Sequence, residues 1–218
     1  MEGTRVGRES SGGEPLITRH EPIDRVFHWS TALAVLLLLA SAAVPRLGLK
    51  FSWLPLHWVT GVVLSVMVVA HILRATFIQP PGRMWISPRH LHEHARGVRA
   101  GKYTLPQKLM HAVLGFAVLL ACVTGALLLL RLDTVLWHGD PYLLEPRTWG
   151  VIYALHGAAS LCILVLSVAH AIRYLLPGRR AYLRAMIRGQ MSREEAAALH
   201  DPARWSGQRR DDPREIDR

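Results

Sequence analysis

Four uninterrupted apolar runs dominate the chain: residues 27–44, 56–78, 109–130 and 151–176. None contains Asp or Glu, and Arg74 and Arg173, both close to run ends, are their only fixed charges. A hydrocarbon layer about 30 Å thick takes about 20 helical residues to cross, so each run is long enough or nearly so. The pattern predicts an all-α fold: a four-helix bundle of transmembrane segments over residues 22–176. A polar tail, 1–21, precedes it, and a basic segment, 177–218, follows. Gln79-Pro80-Pro81-Gly82 stops the second run, and Ser192-x-x-Glu195 is a capping box for a short helix ending at His200.

Histidines occupy matched positions within these runs. His156 and His170 are fourteen residues apart, as are His57 and His71. Fourteen residues turn a helix through about 1400°, within roughly 40° of whole turns, so both members of a pair share one face about 21 Å apart. Ionisable groups inside a membrane helix are costly and usually functional. Imidazole is also a common axial ligand of haem iron. Two such groups, one above the other, predict two stacked b-type haems held non-covalently, because no Cys-x-x-Cys-His attachment motif exists. Gly61, one turn after His57, leaves room for a flat macrocycle.

Charge sets the topology. The chain has 218 residues and a formal net charge of +10, with half of its residues hydrophobic. In a soluble protein that charge would raise nucleic-acid binding, but here it is kept out of the apolar runs, so no nucleic-acid partner is expected. The connection 83–108 carries Arg83, Arg89, Arg96, Arg99, Lys102 and Lys108 against Glu93 alone. The connections after the first and third runs are sparse in cations. The positive-inside rule therefore places both termini and 83–108 in the cytoplasm. His90, His92 and His94 in that connection read as a solvated loop or a headgroup contact rather than a metal site. The Arg179–Arg188 segment reads as an amphipathic stretch lying on anionic lipid. Cys122 and Cys162 fall inside apolar runs and read as packing residues. No cleaved signal peptide is expected.

With that topology, His57 and His156 lie toward the outer side and form the only possible outer pair. His28, His71 and His111 all lie at a depth that suits His170, so spacing leaves its partner open. The outer connection, Arg131–Gly150, is rich in Trp and Pro, and Trp137, Tyr142 and Trp149 are its candidate docking residues for a partner subunit.

Several segments resemble the gamma (cytochrome b) subunit of respiratory formate dehydrogenases. They are Ile23-Asp24-Arg25-Val26-Phe27-His28-Trp29, Leu56-His57 with Gly61, Gly101-Lys102-Tyr103 with Gln107-Lys108, Val123-Thr124-Gly125, His156, His170, Met186-Ile187-Arg188-Gly189 with Ser192-Arg193, and His200 to Trp205. The similarity runs in order over 17–205, and related di-haem cytochromes of hydrogenases share part of it. The resemblance implies haem axial ligands in the pairs His28–His170, inner, and His57–His156, outer. It further implies an iron–sulfur subunit and a catalytic subunit on the outer side, a quinone as electron acceptor near Thr104, Pro106 and His170, and a bacterial inner membrane. The family's Asn and Gly are replaced here by Thr104 and Pro106; a threonine hydroxyl still donates to a quinone carbonyl, whereas proline has no N–H. The chain would then be the quinone-reducing subunit of an oxidoreductase with no formate-oxidising site of its own. The readings set against it are a hydrogenase or stand-alone cytochrome b, a proton-coupled transporter using membrane histidines, and a scaffold. The absence of Asp and Glu from the runs and of paired helix breaks counts against the transporter.

Overall fold

The structure, a computed structural model, describes residues 16–79, 84–135, 137–201 and 204. The expected tail up to residue 15, the helix stop at 80–82, Arg83 and the chain end beyond 204 lie outside the described residues. In chain order the elements are β1 (Leu16–Thr18), α1 (Pro22–Ala43), α2 (Trp53–Phe77), α3 (Pro88–Ala95), α4 (Leu105–Leu129), α5 (Pro146–Leu175), α6 (Arg180–Arg188), β2 (Gln190–Ser192) and α7 (Arg193–Leu199).

The four apolar runs form α1, α2, α4 and α5, each long and apolar enough to cross a membrane. Each begins three to five residues before its apolar run. In three of them proline stands at the first or second position, Pro22, Pro106 and Pro146, where its missing N–H would have had no helical partner. Helix α1 packs mainly on α2, α4 on α5, and α2 on α4. Much of the outer surface remains apolar and open, including Leu36, Val66, Phe116 and Leu161. Such a surface suits lipid and not water.

The bundle core is a narrow band. Ala34, Leu64, Ala117, Val118 and Ile163 are buried together, one or two from each long helix. Leu64 lies midway between His57 and His71, and Ile163 midway between His156 and His170. Packed apolar side chains thus separate an upper from a lower histidine level. Cys122 and Cys162 are free thiols packed at the edge of this band.

One end of the bundle is closed by a cap that joins both terminal segments to the 84–104 connection. Residues 16–18, expected as part of a polar tail, form β1 and pair antiparallel with β2, Ile17 opposite Met191. Ile17, Tyr182, Ala185, Met191 and Ala196 make a second small core. From α6, Tyr182 and Ala185 pack into that core, while Ile187 on the same helix stays exposed. Residues 88–95, expected as a loop, fold into α3, because Ser87 and Pro88 supply a helix start and Gly97 a left-handed end. Ser192 caps α7 by accepting from the Glu195 N–H at 3.1 Å. Across the cap, Arg25 donates to Ile187 O at 2.8 Å, and the Asp201 N–H donates to Ala100 O at 2.9 Å. Gly189 ends α6 in left-handed geometry with φ +85°, and the Arg19 N–H donates to its carbonyl at 2.8 Å.

Candidate functional site

The histidines meet in pairs. His57 and His156 face each other with ring centroids 6.3 Å apart, at the open end of the bundle. His28 and His170 do so at 6.2 Å, at the capped end. Of the three inner candidates it is therefore His28 that faces His170. His71 and His111 pair with each other, also at 6.2 Å, and Phe27 stacks flat on His71 at 4.4 Å. The sequence foresaw no His71–His111 pair, since spacing along a helix says nothing about rotation between helices.

These separations suit coordination. A metal–imidazole bond is about 2.0–2.1 Å and the ring centre lies about 1.1 Å beyond the nitrogen, so two rings on opposite sides of one ion stand about 6.3 Å apart. Hydrogen bonding fixes which nitrogen is offered at the open end. The Ser41 hydroxyl donates to Leu38 O at 3.0 Å and lies 2.9 Å from His57 Nδ1. The Thr124 hydroxyl donates to Leu120 O at 2.6 Å and lies 3.0 Å from His156 Nδ1. A hydroxyl has one proton, and each has given it to a helix carbonyl. The ring must therefore donate Nδ1–H to the hydroxyl, which leaves Nε2 bare as a ligand on both rings. At the capped end, His170 Nδ1 is buried with no partner among the described residues.

Gly125 completes the setting of His156. A Cβ there would stand 3.2 Å from His156 Cε1, tighter than normal contact. Gly125→Ala is accordingly expected to tilt the ring and weaken the open-end site while sparing the other, and Gly125→Val to abolish it. Haem bound per chain would fall toward half on a pyridine haemochrome assay; full retention by the valine variant would refute the contact. Thr124 and Gly125 thus give the Val123-Thr124-Gly125 segment a physical role. Ser41 was not singled out from the sequence, although a serine at the end of an apolar run is the signal that could have found it.

The segment 101–108 is built into the cap. Thr104 is the N-cap of α4, its N–H donating to Gln107 Oε1 at 2.9 Å, and Pro106 lies in the first turn. Helix initiation therefore accounts for both residues. Lys108 is buried and donates to Trp85 O at 3.2 Å, with His90 Nε2 at 3.1 Å. His90 caps α3, and no group of three or more metal-binding side chains occurs among the described residues. A run of ring contacts, His170–Tyr174–Tyr182–His200 at 4.9, 5.8 and 5.6 Å, connects the capped-end pair to Gly101, whose carbonyl accepts from His200 Nδ1 at 2.6 Å. At the open end, Trp149 is buried, donating to Pro141 O at 3.0 Å under the Arg131 guanidinium. It braces the loop and is not an exposed docking residue, whereas Tyr142 is 91% exposed.

A four-helix membrane bundle that sets paired imidazoles at two depths is a membrane cytochrome b. The chain belongs to the prokaryotic cytochrome b561 family, whose model matches residues 19–189. It is a bacterial membrane protein of b-haem electron transfer. No curated protein matches it.

Proposed function

We propose that the chain is the di-haem cytochrome b subunit of a membrane-bound respiratory formate dehydrogenase. It takes electrons from an iron–sulfur partner at its open, outer end and delivers them to a quinone near the cytoplasmic, capped end of the bundle in the inner membrane. The observation that carries this reading is the pair of two-histidine sites, 6.3 and 6.2 Å across, on opposite sides of one packed apolar band.

Haem, when bound, supplies a one-electron iron couple at each site. His57 and His156 would hold the outer group, and His28 and His170 the inner. Leu64 and Ile163 keep water out of the space between them. Thr104, Pro106 and His170 are the proposed quinone neighbours, supported by the contacts that lead from His170 through the two tyrosines to Gly101. The exposed Tyr142, with Trp137 of the same connection, is the proposed docking point for the iron–sulfur subunit, and the catalytic subunit would lie beyond it. With the basic segments inside, protons taken up at the quinone come from the cytoplasm, and each electron crossing works against about 2.3 kcal/mol per 100 mV.

In anaerobic membranes holding the native complex, formate should reduce the b haems within the turnover time. Thr104→Val should slow quinol formation while leaving that reduction intact. Reduction by hydrogen and not by formate would make the chain a hydrogenase cytochrome. A quinone-site inhibitor that perturbs the His57–His156 haem instead of the His28–His170 haem would reverse the electron path.

A further inference from the structure

The two sites differ in what stands behind their histidines. At the open end both Nδ1–H groups donate to hydroxyl oxygens, at 2.9 Å for Ser41 and 3.0 Å for Thr124, and both hydroxyls are buried. At the capped end the buried His170 Nδ1 finds no such acceptor among the described residues. We propose that Ser41 and Thr124 are positioning residues that set the open-end site at a lower reduction potential than the capped-end site. The inference rests on haem binding at these pairs.

The physics is that of a ligand tuned from behind. An acceptor on Nδ1–H draws the proton outward and leaves more electron density on Nε2. Greater density at the ligating nitrogen favours the higher-charged ferric state, and so lowers the potential. Each hydroxyl has a fixed orientation, because its own proton is bound to a carbonyl one turn back on the same helix. Both rings of the open-end pair are tuned this way, and their effects act on one metal. The result is a downhill step from the open to the capped end, built from two side chains that touch neither substrate nor partner.

The test is a potentiometric titration of the purified, haem-loaded chain in detergent, following the α-band. Wild type should resolve two components. Ser41→Ala and Thr124→Val should each raise the lower component alone, by about five-fold in its reduced-to-oxidised ratio at a fixed applied potential for each hydrogen bond lost. Ser41→Thr should restore the wild-type curve. A potential does not depend on occupancy, so a variant that binds less haem is still read from the loaded fraction. Unmoved components, two variants acting on different components, or a shift confined to the higher component would each overturn the proposal with haem binding intact. A wild-type chain without haem would instead defeat the functional reading on which it rests.

Discussion

Replacing His28 with alanine is expected to remove one haem and leave the other, halving the haem bound per chain, whereas His71→Ala should keep both. The expectation comes from rotation and not from depth. His28, His71 and His111 all lie near the capped end, but only the His28 ring faces His170, at 6.2 Å, while His71 is stacked on Phe27 and turned to His111. A haem held by these two rings would lose one of its two nitrogen ligands, and no covalent tether would retain it. A pyridine haemochrome assay on the purified variants reads the outcome directly. If His71→Ala loses a haem and His28→Ala does not, α2 and α5 hold both groups between them.

Acid is expected to open the cap well before it unfolds the bundle. His200 is fully buried; its Nδ1–H donates to Gly101 O at 2.6 Å, and Arg19 and Tyr182 each reach its Nε2 at 3.1 Å. Burial, and then the Arg19 cation, push its pKa down from 6.5 to about 4, and burial with Arg19 and Lys102 does the same to His20. The folded cap therefore keeps His200 neutral where an unfolded cap would take up a proton. Its stability is complete above about pH 6.5, falls as pH drops, and levels off below about 4. For His200 the loss is about 3 kcal/mol. Amide exchange at Asp201 and Arg19, whose N–H groups close the cap, should accelerate by about a hundred-fold between pH 7 and 4 beyond the intrinsic pH effect, with the centres of α2 and α4 still protected. His200→Phe should remove most of that dependence. Protection that does not change with pH would show that His200 is not the latch.

The bundle was plain in the sequence because lipid imposes long apolar runs that nothing else in a chain of this size requires. The histidine levels were plain for a similar reason: fourteen residues fix both face and height on one helix. Partner choice at the capped end was not, because rotation between helices depends on packing by Ala34, Leu64 and Ala117 that no local pattern encodes. The cap was missed for a different reason. It joins residues 16–20 to 100–102 and 182–201, so its hydrogen bonds connect positions more than eighty residues apart, and each strand has only three residues. Read locally, such segments look like tails. Several residues that carried the family resemblance without an assigned role, among them Arg25, Gly101, Gly189 and His200, are the ones that clasp this cap. Trp149 misled in the opposite direction: aromatic enrichment suggested an interface, whereas the ring braces its own loop.

The most direct measurement is haem stoichiometry of the purified, full-length chain. Two haems per polypeptide, both low-spin and both released by acid extraction, are the expected result for histidine pairs on either side of the Leu64–Ile163 band. A chain that folds in the membrane and binds none, or that keeps two after both His57→Ala and His156→Ala, would contradict the assignment of these pairs as the electron-carrying sites.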